Sequence, residues 1–176
     1  GGALFTNDDT LAKKIRMIAN HGQSVQYVHD EIGVNSRLDS IQAAILRVKL
    51  KHLDSYAAAR QKAAAYYDKA FNGNSKITTP ERSKNSTHVF HQYTLVLNGV
   101  NRDELRQYLA EKEIPAMIYY PIPLHMQKAY KDERYKEGQF PVTEKLCANV
   151  LSLPMHTELD EEQLEYITRA VLEFCK

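Results

Sequence analysis

Asn35 and Arg37, in the run Gly33-Val34-Asn35-Ser36-Arg37, are the residues whose types and spacing best suit binding chemistry. An amide and a guanidinium stand two residues apart at the start of a helical pattern. Free N–H groups and the positive end of a helix dipole there favour an anion. The competing reading is an ordinary capped helix with a solvated arginine. Ser36 followed three positions later by Asp39 fits a capping box, with Asp in place of the usual Glu or Gln. Farther on, Tyr119-Tyr120-Pro121 predicts a strand end from which one aromatic hydroxyl can reach a ligand, although packing is the default use of tyrosine. His125 follows the rigid Pro121-Ile122-Pro123, with no partner identifiable from sequence. His88 and His91 stand three apart, which in a strand puts them on opposite faces, so no shared metal is expected. The chain has no G-x-S-x-G, no Walker loop, no complete dinucleotide fingerprint and no zinc spacing.

The element that must carry Asn35 and Arg37 is long. From Leu38 apolar residues recur at Ile41, Ile45, Val48, Leu53, Tyr56, Ala64, Tyr67 and Phe71, a helical spacing that no Pro or Gly interrupts. One helix over this stretch would reach roughly 50 Å, more than a small domain needs. Before it, Gly2 to Thr6 reads as a short buried strand. Asn7 or Asp8 caps a helix running to about Ala19, with Leu11, Ile15 and Ile18 as its apolar stripe. Lys13, Lys14 and Arg16 form a solvated face. Gly22 suits a left-handed helix end, and Gln23 to Val34 reads as an irregular loop.

After the stop signal Asn72-Gly73-Asn74-Ser75 the pattern is that of a compact α+β unit. His88 to Leu97 alternates as a strand, with Val89, His91, Tyr93, Leu95 and Leu97 on one face. Asn101 opens a helix, Pro115 to Tyr120 reads as a second strand, and Lys128 to Gln139 as a surface loop or short helix. Phe140-Pro141 precedes a further helix, Leu151 to Met155 makes a third strand, and Thr157 to Asp160 caps a final amphipathic helix.

Length and composition bound the class. At 176 residues, 43% hydrophobic and 26% charged, the chain suits one globular domain, or one and a part. Its net charge of +1 gives no field for nucleic acid or an anionic membrane. No apolar run is long enough for a membrane span. Cys147 and Cys175 fit no metal or redox spacing and read as reduced thiols, which with no export signal points to the cytoplasm. The start, directly in an expected strand with no initiator Met, suggests the later part of a longer protein. Apolar surface on that strand and the long helix is then expected to cause self-association or partial disorder before about Gly33.

Six stretches together resemble a known family: Gly1-Gly2-Ala3-Leu4-Phe5-Thr6-Asn7-Asp8, Asn20-His21-Gly22, Gly33-Val34-Asn35-Ser36-Arg37-Leu38-Asp39, Gln42-Ala43-Ala44-Ile45-Leu46, Tyr120-Pro121-Ile122-Pro123-Leu124-His125 and Leu151-Ser152-Leu153-Pro154-Met155. In that order they are similar to the pyridoxal-phosphate-dependent nucleotide-sugar aminotransferases of the DegT/DnrJ/EryC1/StrS group. The resemblance implies an α/β fold, the C-terminal part of PLP-dependent transferase fold type I. Residues 1–34 would end the large cofactor-binding domain, 35–72 would form the connecting helix, and 73–176 a small α+β domain. It implies transfer of an amino group from glutamate, or a similar donor, to a keto nucleotide sugar for cell-surface polysaccharide biosynthesis.

By the same resemblance the cofactor is pyridoxal 5'-phosphate, held by a lysine that lies before Gly1, so this stretch alone would be inactive. Lys13 and Lys14 do not match that lysine. Asn35 matches the asparagine that reaches the cofactor phosphate of the other subunit, which implies a homodimer with shared active sites. Arg37 matches a substrate-binding arginine, suited to a carboxylate in the branch that aminates a 3-keto uronate. Tyr119 and Tyr120 match positions near the sugar, the former commonly histidine in relatives. A non-catalytic module of the same fold, binding nucleotide sugars or acting by dimerisation, is the alternative.

Overall fold

A computed structural model describes residues 2–176, so Gly1 of the first family-like stretch lies outside the described residues. The chain divides into two compact units, Gly1–Leu53 and Asp54–Lys176. That division falls within the stretch expected to form the connecting helix.

In the first unit, Gly2 to Thr6 forms no strand; Leu4 and Phe5 are 77% and 93% exposed, with no sheet partner to fix them. Helix α1 (Asp9–Ala19) starts where Asp8 accepts from the Leu11 amide at 3.0 Å, as an N-cap should. Its end turns through two left-handed residues, His21 (φ 60°) and Gly22 (φ 76°). The expected loop after it is instead a small antiparallel hairpin, β1 (Gln23–Val25) and β2 (Val28–His29). Tyr27, with φ 66°, turns the hairpin in a conformation that residue-type rules reserve for Gly or Asn.

The expected single rod is two helices, α2 (Ser40–Leu50) and α3 (Leu53–Phe71). Between them the ladder tightens to i→i−3 bonds, Lys51 N to Val48 O at 3.3 Å and His52 N to Lys49 O at 3.0 Å. Such a break needs neither Pro nor Gly, and propensity does not reveal it. The N-cap of α2 is Asp39, not Ser36: its carboxylate accepts from the Ile41 amide at 2.8 Å and the Gln42 amide at 3.4 Å.

The second unit holds the hydrophobic core. A three-stranded antiparallel sheet, ordered β3 (Ile77–Thr78), β4 (Tyr93–Leu97), β5 (Val150–Leu153), carries Tyr93, Leu95, Leu97, Leu151 and Leu153 inward. Against it pack α3 and the helices α4 (Arg102–Glu111) and α6 (Glu161–Phe174), through Ala64, Tyr67, Phe71, Leu105, Leu109, Ile167 and Val171. Helix α5 (Pro141–Asn149) runs directly into β5. Asn101 caps α4, and a full capping box between Asp160 and Gln163 starts α6.

Two expected strands come out shorter. β4 begins at Tyr93 because the preceding polar groups are diverted: His88 Nδ1 accepts from the Phe90 amide at 2.9 Å, and Arg60 Nη1 donates to the carbonyls of Phe90, His91 and Met155 at 3.0, 3.2 and 3.3 Å. Phe90, at φ 48°, is therefore the buried residue, while Val89 and His91 are exposed rather than on the core face. Pro115 to Tyr120 makes only one bridge, Met117 with Ser152, since the flanking prolines donate nothing to a ladder.

Candidate functional site

Asn35 is placed by the end of α1. The last carbonyls of a helix have no partner within it. Here Ile18 O and Ala19 O accept from the amides of Val34 and Ser36 at 2.8 and 2.9 Å, and His21 N donates to Val34 O at 2.9 Å. Asn35 is clamped between these contacts and bridges to Asn20. The crossing is close because of two glycines. A Cβ on Gly33 would stand 2.1 Å from Gly22 N, and one on Gly22 would stand 1.7 Å from Glu31 O.

The clamp leaves both side chains exposed, and they meet: Arg37 Nε donates to Asn35 Oδ1 at 3.0 Å. With the amide oxygen accepting, the Asn35 NH2 is the end turned to donate. With Nε engaged, Arg37 keeps its two terminal nitrogens for an oxyanion. The helix start itself is less available than the sequence suggests, since Asp39 already takes two of the α2 amides. An anion placed here would meet the Asn35 amide and the Arg37 fork. Lys14 is engaged elsewhere, with Glu31 at 3.0 Å.

Tyr119 and Tyr120 belong to the second unit. Their rings meet edge to face at 5.9 Å, and they are 38% and 73% exposed. The bridge at Met117 holds the segment to β5 on one side, and on the other the segment passes into the buried Pro123. Neither tyrosine is part of the core.

His125 has a partner that sequence spacing does not reveal. Its Nε2 lies 3.1 Å from Glu144 Oε1, nineteen residues away. The same carboxylate accepts from the amides of Gly138 and Phe140. Burial alone would raise the Glu144 pKa, but these amides and His125 outweigh it and hold the carboxyl below its ordinary range. The signal in the sequence was the stiff Pro-Ile-Pro segment before His125. Arg60, which gathers three carbonyls, carried no signal at all. Among the described residues no group of three or more His, Cys, Asp or Glu is arranged to hold a metal ion.

The family model of the DegT/DnrJ/EryC1/StrS aminotransferases matches residues 1–172. The chain is 46% identical to the pleiotropic regulatory protein of Geobacillus stearothermophilus, covering 100% of this chain and 47% of that protein. It is 44% identical to the UDP-2-acetamido-2-deoxy-3-oxo-D-glucuronate aminotransferase of Pseudomonas aeruginosa, covering 97% and 46%. The solved structure of S. venezuelae DesV in complex with a ketimine intermediate superposes with a TM-score of 0.91 at 37% identity, over 97% of this chain and 46% of that one. The chain thus spans about half the length of the curated relatives it matches, and it has the mixed α/β fold of the C-terminal part of PLP-dependent aminotransferases.

Proposed function

The chain belongs to the DegT/DnrJ/EryC1/StrS aminotransferase family, and from that premise we propose that it supplies the C-terminal share of a nucleotide-sugar aminotransferase. Residues 1–34 end the large domain, 35–72 connect, and 73–176 form the small domain. The whole protein takes an amino group from glutamate or a similar donor and gives it to a keto sugar in a ping-pong exchange. It works in the cytoplasm, for cell-surface polysaccharide synthesis. The unpaired Cys147 and Cys175 support that compartment.

The cofactor is pyridoxal 5'-phosphate, whose chemistry when bound is that of an electron sink for the carbon bearing the amino group. Its lysine lies in sequence outside these 176 residues. The observation that carries the reading is the bond from Arg37 Nε to Asn35 Oδ1. That bond commits the Asn35 NH2 to donate, which fits a phosphate oxygen, and the phosphate belongs to the other subunit of a homodimer. Arg37 meets a substrate carboxylate end-on through its two terminal nitrogens, since its Nε is already bonded. The name of the Pseudomonas relative, a uronate aminotransferase, supports that substrate class. The exposed Tyr119 and Tyr120 bind the sugar through their hydroxyls.

The test is Asn35→Asp in the full-length protein, which sets a carboxylate against the phosphate. Cofactor affinity should fall about tenfold or more in a pyridoxal phosphate titration, the scale of one lost charge-assisted bond plus repulsion. Unchanged affinity would remove the Asn35 assignment. A second reading, a non-catalytic module of this fold, is favoured by the name of the Geobacillus relative. Turnover of a keto nucleotide sugar by the full-length protein decides between them.

A further inference from the structure

Beyond Tyr120 the chain passes the buried Pro123, makes the 3-10 turns Leu124–Met126 and Lys128–Tyr130, and reaches the half-exposed Phe140 and α5, which has no buried residue. One carboxylate closes this excursion at both ends. Glu144, in the first turn of α5, accepts from Gly138 N with both oxygens at 2.9 Å and from Phe140 N at 3.3 Å, on the returning end. On the departing end it meets His125 Nε2 at 3.1 Å. An ionised carboxylate only accepts, so Nε2 carries the proton. The His125 ring also packs tilted on Phe140, 4.8 Å between centroids, and the side chains of His125 and Glu144 are only 10% and 20% exposed. Helix α5 is in turn held to α4, where Arg102 Nη1 donates to Cys147 O at 2.6 Å. Among the described residues the side chains of Tyr119 and Tyr120 make a ring contact with each other but no hydrogen bond; they hang between the Met117 bridge and this closure.

We propose that His125 and Glu144 form a latch that positions Tyr119 and Tyr120 for the sugar, with His125 a positioning residue whose required atom is Nε2. Three rigid residues, Pro121-Ile122-Pro123, couple the latch to the tyrosine pair, so releasing His125 frees that pair without touching the core. The inference rests on the reading that these tyrosines face the sugar, and its test keeps the two apart.

In the full-length protein, Tyr120→Phe, His125→Ala, His125→Asn and His125→Gln are compared in the two half-reactions. Gln carries an amide nitrogen where Nε2 stands, whereas the Asn nitrogen falls short of Glu144. His125→Ala and His125→Asn should raise KM for the keto nucleotide sugar about tenfold, the effect of a misplaced hydrogen-bonding group, with cofactor affinity and the amino-donor half-reaction unchanged. His125→Gln should restore KM to within about twofold. If Tyr120→Phe leaves the sugar KM unchanged, the reading of the tyrosines fails and takes the latch with it. If Tyr120→Phe raises KM and His125→Asn does not, the latch alone is overturned. An equal loss in both half-reactions, not rescued by Gln, also overturns it, because that pattern marks a merely structural histidine.

Discussion

Tyr93 shows how much one side chain decides at the residue scale. Its hydroxyl donates to Asp68 Oδ1 at 2.6 Å, and Arg82 Nε donates to the other oxygen of that carboxylate at 3.1 Å, while the Arg82 guanidinium lies 4.5 Å over the Phe90 ring. Burial first, then the bond to Asp68 and its charge, push the Tyr93 phenol well above its ordinary value. Burial does the same to Tyr67, whose hydroxyl donates to Pro154 O at 2.9 Å. Both groups hold their protons more tightly folded than unfolded. Their contribution is therefore complete below the unfolded value of about 10 and declines as pH rises beyond it. Spectrophotometric titration should show Tyr67 and Tyr93 still protonated above pH 10 in the folded protein and releasing their protons on unfolding. Tyr93→Phe should cost about 1–2 kcal/mol in urea unfolding, because Asp68 Oδ1 loses its donor in a half-buried place while Arg82 keeps the other oxygen. Periodicity put Tyr93 and Tyr67 on apolar faces, but nothing in the sequence showed the pairing of Tyr93 with Asp68, a contact across 25 residues.

At the scale of elements, the crossing of Gly22 and Gly33 sets where Asn35 goes. A Cβ at Gly33 would meet three backbone atoms, Gly22 N, His21 C and Ile18 O, none of which can swing aside. Gly33→Ala should cost roughly 2 kcal/mol or more in the first unit and, in the full-length protein, weaken the cofactor as Asn35→Asp does. A Gly33→Ala protein with unchanged cofactor affinity would mean that the clamp does not position Asn35. Glu144 offers a milder check. Its carboxyl is held below the ordinary glutamate value of about 4.3, so its contribution is present above that pH and is lost as pH falls through the lower folded value. Amide protection at Gly138 and Phe140 should fade in acid before the sheet amides do, as hydrogen exchange or NMR can follow.

For the whole molecule, the burial is uneven. Every core residue from Ala63 onward lies in the second unit, while the first unit's large apolar side chains include Phe5 at 93%, Ile41 at 73% and Leu50 at 69% exposure. The amides of β4, β5 and α6 should therefore exchange at the global rate, and those of the β1–β2 hairpin much faster. Apolar surface on this scale should make the 176-residue chain self-associate, which light scattering over a concentration series checks. A monodisperse monomer with uniform protection would contradict both expectations.

What the amino-acid order determined by itself was local. The cap at Asn101, the caps of α1 and α6 to within a few positions, the turns at Gly22 and Gly73, and the apolar stripe of α6 each depend on residues within a few positions of one another. The family was readable for a similar reason, because short motifs kept their order along the whole chain. Tertiary structure alone decided the rest. The late start of β4 and the His125–Glu144 pair were not visible in the sequence. The last of these joins groups nineteen residues apart, and β4 starts late because Arg60 reaches carbonyls thirty and thirty-one residues away. Periodicity reports which face of an element is apolar, but a polar partner supplied by distant chain leaves no trace in local spacing.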